Sequence, residues 1–325
     1  GVDICYDAGN DRLVAVWFRN SDIYPMAAVG TISGTTTTWG TPTVVESVAA
    51  DKEPAVDYDP DNGKVLMLYV RASDLNARYS VGTVSGTTST WGASGELYGN
   101  TTREGLDLTY DTTHDYFLCI YHSGFGAFDC NVKIGSISGT TVTFGSAYVF
   151  SSGSNCRTID ITYDVNADAL AVLYRNASNQ LYGIVGTSTA AKVVTYGAET
   201  LIGTWNPYGM GSITYDATAQ KCVAIFKNTS GYGAGAVVTV VGGSTRSFTD
   251  ATETTFNSAD IGSSNLSLHA TYAGTNANTT TVVFIESTYP RFCNGTVSGT
   301  SISFNTVARL WTDNAASSRN NICPI

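Results

Sequence analysis

The chain has 325 residues, a net charge of −10 and only 14% charged residues. That acidic balance argues against general binding to nucleic acid or to an anionic membrane surface, both of which call for basic patches. No apolar run reaches the roughly 18 residues of a membrane-spanning helix. The low charge content fits strands covered on both faces.

The chain opens on Gly1 without an apolar leader, so Gly1 is expected to be a processed or trimmed end. The first residues alternate apolar and polar and end on Tyr6-Asp7. The same ending returns at Tyr58-Asp59, Tyr110-Asp111, Tyr163-Asp164, Tyr215-Asp216 and, altered, at Tyr272-Ala273. By subtraction the tyrosines stand 52, 52, 53, 52 and 57 residues apart, a period that marks a repeat architecture.

The second copy reads most plainly. Residues 54–59 form a short strand, and Pro60-Asp61-Asn62-Gly63 is a turn in which each residue suits its backbone position. Lys64 to Arg71 is a nearly continuous apolar run, as in a strand buried on both faces. Tyr79 to Ser85 follows, then a Ser85-Gly86 hairpin, a Thr-rich strand to Trp91 and a last segment at Glu96-Leu97-Tyr98. The third segment recurs at 29–34, 134–139 and 294–299, and an aromatic follows each hairpin: Trp39, Trp91, Phe144, Tyr196, Phe304.

Four strands per copy cannot bury both faces alone, so copies must stack. Radial stacking predicts an all-β chain, a six-bladed β-propeller of four-stranded antiparallel blades with a ~52-residue repeat. The expected blades are 1–49, 50–101, 102–154, 155–206, 207–262 and 263–311, in one domain closed by a tail, 312–325.

Seven cysteines show no metal-ligand spacing, so no metal or other cofactor is expected. Cys119, Cys222 and Cys293 fall inside strands and read as small buried hydrophobes. Cys130 and Cys156 fall on one rim and could form a disulfide. Asp3-Ile4-Cys5 resembles Asn321-Ile322-Cys323, and Phe304 plus 19 lands on Cys323, which suggests a Cys5–Cys323 latch.

The end of the second strand repeats a cation, Arg19, Arg71, His122, Arg175 and Lys227, replaced by Glu286 in the sixth copy. The connectors add Lys52, Arg103, Arg157 and Arg319. Gathered on one rim, these would bind anionic groups; alternatively each pairs with an acid of the adjacent blade, Glu53 and Glu104 among them. The Tyr-Asp aspartates read as turn caps. Polar positions three before the Tyr (Asp3, Asp107, Asp160, Ser212, His269) would line a channel or bind a cation, although their spacing gives no calcium-loop pattern. Aromatics of the rim loops, Tyr24, Phe125, Phe128, Trp205, Tyr208, Tyr232 and Tyr289, suit the apolar faces of sugar rings.

The units YDPDNGKV (58–65) and VGTVSGTTSTWG (81–92) resemble repeats of tail-fibre and other virion surface proteins of tailed bacteriophages. That resemblance implies a non-enzymatic propeller on a virion surface, contacting other virion proteins and binding a host receptor or glycan. The alternatives are a secreted, free-standing carbohydrate-binding lectin and a sialidase-like glycosidase. The Ser-x-Asp-x-Gly-x-x-Trp turn of sialidases is absent from all six copies, which counts against catalysis.

Overall fold

The computed structural model describes residues 1–309 apart from 34–35, 100, 125–128, 153–156, 177, 179, 205–210, 262–267, 273–278 and 287–288. Among the described residues there is no helix, and the strands form six antiparallel sheets, each running first-second-third-outer strand in space. The fold class is a six-bladed β-propeller of four-stranded blades. In blades 1, 2, 4 and 6 the outer strand is broken into two pieces that both pair with the third strand.

The chain divides into two compact units, Gly1–Ser154 and Asn155–Ile325, with three blades each. In the first unit, the second strands are Arg12–Phe18, Lys64–Arg71 and Tyr116–Ser123. Their side chains alternate between neighbours. Leu66, Leu68 and Val70 of blade 2 pack with Leu106, Leu108, Phe117 and Cys119 of blade 3. Val65, Met67 and Tyr69 pack with Val14, Val16 and Val29 of blade 1. This is why the strand reads as a continuous apolar run rather than an alternation.

The second unit repeats the arrangement. Ala169, Ala171 and Leu173 pack with Cys222, Ala224 and Phe226 of blade 5. Val223 and Ile225 in turn pack with Val282, Phe284 and Cys293 of blade 6.

The repeated Tyr-Asp has a local cause. Asp59 is buried, and its Oδ1 accepts the amides of Asp61 and Asn62 at 3.0 and 2.9 Å. Asp111 caps Thr113 and His114, Asp164 caps Asn166 and Ala167, and Asp216 caps Thr218 and Ala219 in the same way. In blades 2 and 3 the tyrosine hydroxyl reaches the preceding blade's turn: Tyr58 accepts Gly9 N at 3.2 Å and Tyr110 donates to Asp61 at 2.7 Å.

The Trp-Gly pairs that follow the hairpins are packing devices. Trp91 lies where a Cβ on Gly82 would stand, 2.9 Å away. A Cβ on Gly40 would come within 2.0 Å of the Thr87 carbonyl oxygen in the next blade's hairpin.

Three of the polar residues expected to line a channel stitch first strands together. Asp3 Oδ2 accepts Val56 N at 2.6 Å, Asp160 Oδ2 accepts Ile213 N at 3.0 Å, and Ser212 Oγ accepts Ala270 N at 3.1 Å. Blade 2 has Ala55 at that position, and Asp57, two residues on, accepts Tyr110 N at 2.9 Å.

Candidate functional site: the rim of second-strand ends and connectors

In blades 1 and 2 the second-to-third-strand loops and the blade connectors share one rim. Ala50 N donates to Ile23 O and Ala72 N to Ala49 O, each at 2.9 Å. On this rim the repeated cations split into two sets. Arg19 and Arg71 stand 13 residues after their repeat tyrosines; His122, Arg175 and Lys227 stand 12 after theirs. One residue reverses the face of a strand, so the five do not form a common surface.

Arg19 and Arg71 are paired within their own blades. Arg19 Nε and Nη2 meet Asp22 Oδ1 and Oδ2 at 2.9 and 2.5 Å, and its guanidinium lies 5.4 Å from the centre of the Tyr24 ring. Arg71 grips Asp74 with Nε and Nη2, the Nε–Oδ1 distance being 3.0 Å. The hydrogen bond from each arginine holds its partner's carboxyl below the usual range. Forks so occupied are not open anion receptors, and the partner is a loop aspartate three residues on, not an acid of the adjacent blade. The sixth blade reverses the polarity: Glu286 meets Arg291 Nε at 2.7 Å.

His122, Arg175 and Lys227 are 4%, 9% and 3% exposed. Arg175 continues the strand face of Ala171 and Leu173, which packs on Phe226 of blade 5. Lys227 continues the face of Val223 and Ile225, which packs on Phe284 of blade 6. Phe18 and Val70 hold that position in blades 1 and 2. Two buried cations thus enter blade-to-blade faces that are apolar elsewhere.

Between blades 1 and 2 the rim closes over a different polar group. Tyr69 is fully buried, and its hydroxyl donates to Glu46 Oε2 in the connector. Ser94 Oγ donates to Glu46 Oε1 at 2.5 Å. Tyr69, Arg78 and Glu96 are register partners across three strands and form one row. Arg78 Nη2 reaches Ser94 O and Oγ at 3.3 and 3.2 Å, and its Nη1 lies 3.6 Å from Glu96. Burial, and then the bond to Glu46, push the Tyr69 hydroxyl up.

Between blades 2 and 3 the counterpart of Glu46 is Tyr98, by the 52-residue step, and the counterpart of Tyr69 is Tyr121. Their rings lie 4.8 Å apart. Lys133 Nζ stands 5.7 and 5.9 Å from the two ring centres and donates to Leu97 O at 2.7 Å. Burial lowers the Lys133 ammonium.

Tyr24 is half-buried beside Arg19, and Tyr232 is exposed at the start of its strand. Trp205, Tyr208, Phe125, Phe128, Cys156, Arg319 and Cys323 lie outside the described residues, as do the side chains of Lys52, Glu53, Arg103, Glu104, Arg157 and Tyr289. Cys130 is disulfide-bonded. Cys5 is a buried thiol rather than half of a disulfide, so the expected latch is not formed. Asp22 and Asp74 could have been found from the Arg-x-x-Asp spacing shared by the first two copies. Glu46, Arg78 and Ser94 are not echoed in the other copies, and sequence reading missed them.

No family model matches the chain, and no curated protein matches it in sequence. Solved structures do. The BP39L lectin of Burkholderia pseudomallei superposes with a TM-score of 0.73 at 10% identity, covering 95% of this chain and 84% of that one. The Aleuria aurantia lectin, described as a six-bladed β-propeller with a novel fucose recognition mode, gives 0.58 at 13% identity and 96% of each chain. The NanB sialidase of Streptococcus pneumoniae gives 0.57 at 8% identity, over 88% of this chain and 65% of that one. The likeness is one of fold.

Proposed function

We propose that this protein is a carbohydrate-binding propeller that performs no chemistry on its ligand. The observation that carries the reading is the set of polar side chains at the blade-to-blade faces of one rim, different at each of the four faces within the two units: Glu46 with Arg78, Lys133 between two tyrosines, buried Arg175 on the strand face that meets blade 5, and buried Lys227 on the face that meets blade 6. A cation or carboxylate beside an aromatic ring suits a sugar, which offers hydroxyls at its rim and C–H groups on its face. Several of the superposed propellers are lectins, which supports a binding role over catalysis.

The narrower form of this reading, suggested by the repeat resemblance, is an adhesin on a bacteriophage virion that contacts host glycan and other virion proteins. A secreted lectin would use the same faces, and a proteome of purified particles separates the two.

A glycan array tests the shared claim. Wild-type protein should bind a defined subset of glycans, Arg175→Gln and Lys227→Gln should each lower that signal at least ~10-fold, and Arg19→Ala should leave it unchanged. The Trp205→Ala variant probes the connector. Absence of any glycan signal, or equal binding by both cleft variants, would overturn the proposal.

A further inference from the structure

The face between blades 1 and 2 brings a carboxylate, Glu46, and a guanidinium, Arg78, onto one serine. Glu46 is half-buried, and its two oxygens take hydrogen bonds from Tyr69 and Ser94. A carboxylate oxygen can accept two hydrogen bonds, so capacity remains on each.

Arg78, 14% exposed along its side chain, spends its Nη atoms on Ser94 and Glu96. Its Nε is buried and meets no hydrogen-bond acceptor among the described residues. One strand row deeper, Ser80 Oγ is also buried without hydrogen-bond geometry, although Ser80 lies near enough to Tyr69 to ease its ionisation. A buried donor left unmade costs about 1–3 kcal/mol, and here two such atoms share the face of blade 2 that meets Glu46.

Charge narrows what could satisfy them. Arg71 is paired with Asp74 and Arg78 with Glu96, and Lys133 also acts on Glu96. A ligand carboxylate set against the free lone pairs of Glu46 would meet a like charge. The same holds for a sulfate or a phosphate placed there. A free carboxylate acceptor beside an unused N–H donor matches neighbouring hydroxyls, one donating while the next accepts.

From this we infer that the cluster of Glu46, Ser94, Tyr69 and Arg78 is a binding site for two adjacent hydroxyls of an uncharged sugar, and that it discriminates against acidic sugars. This rests on the carbohydrate reading above but adds a site and a charge preference to it.

Saturation-transfer NMR on the whole chain, with galactose, mannose, fucose, N-acetylglucosamine and glucuronic acid as probes, tests the inference. At least one neutral sugar should bind and glucuronic acid should not. Glu46→Gln, which keeps an acceptor for Tyr69, should weaken the neutral sugar at least ~10-fold while leaving the melting temperature within a few degrees of wild type.

Preferential binding of glucuronic acid, or unchanged neutral-sugar binding in Glu46→Gln, sinks this site while leaving the broader proposal intact if Arg175→Gln still loses array signal. No sugar bound at all by wild type removes both.

Discussion

Asp57 holds its carboxylate between two backbone amides, Tyr58 N at 2.7 Å and Tyr110 N at 2.9 Å. Desolvation outweighs both bonds and pushes its carboxyl up to about 7, with Asp3 adding repulsion. In the unfolded chain the same group ionises near the ordinary aspartate value of about 4. Between those values the folded state binds more protons than the unfolded one, so Asp57 makes stability fall as pH rises through that window and level off above it. The residue keeps part of its surface in solvent, so the size of the effect is screened. Chemical denaturation of wild type and Asp57→Asn between pH 4 and 8 isolates its share. The difference between the two should shift in favour of the variant as pH rises towards 7, and a constant difference would contradict the assignment. Asp22 and Asp74 carry the opposite sign, their carboxyls being depressed, and cancel in that comparison.

The turn after each first strand spans four residues, 8–11, 60–63, 112–115, 165–168 and 217–220. Its last residue is left-handed in all five: Asp11, Gly63, Asp115, Asp168 and Gln220 have φ of 55, 59, 60, 48 and 53°. Only blade 2 uses the residue that suits this conformation. Asp11 and Asp168 recover part of the cost by accepting from Tyr6 and Tyr163 hydroxyls. Gln220 shows no such bond among those described, so Gln220→Gly should stabilise the protein by about 0.5–1 kcal/mol. Urea denaturation would register this as a higher midpoint at unchanged slope. This element was legible because Pro-Asp-Asn-Gly at 60–63 names its own geometry and the Tyr-Asp period carries it to the other copies. The second-strand cations were legible as a series but not as two series. A repeat scan aligns residues to within one position, and one position is the difference between a solvent-facing and a neighbour-facing side chain.

Across several blades, stability comes from faces where side chains of one sheet fill the next. Leu68 and Cys119 lie in the same cluster, one from blade 2 and one from blade 3, and both are fully buried. Burial pushes the Cys119 thiol up, and does the same for Cys222 and for Cys293, the last to about 12. Thiolates are the reactive form, so these cysteines should stay silent towards Ellman's reagent until the fold opens. Leu68→Ala should cost about 2–5 kcal/mol and bring Cys119 into reaction at denaturant concentrations where wild type is inert. Reaction at equal rates in both proteins would mean that the two sheets do not share a core. At this scale the sequence was most informative, because a 52-residue period with four strand signals admits few packings. It was least informative about the cleft of Glu46, since a residue that departs from its own repeat has no second copy to flag it. The four-residue turns are fixed in length by aspartates that hold their amides, so an inserted residue there costs a cap. The hairpins at the opposite end already differ in length, four residues at 228–231 and six at 19–24. A foreign peptide or fluorescent label spliced into this scaffold should therefore be accepted at the hairpin end and rejected at the turn end, which makes the molecule a one-sided platform for engineering.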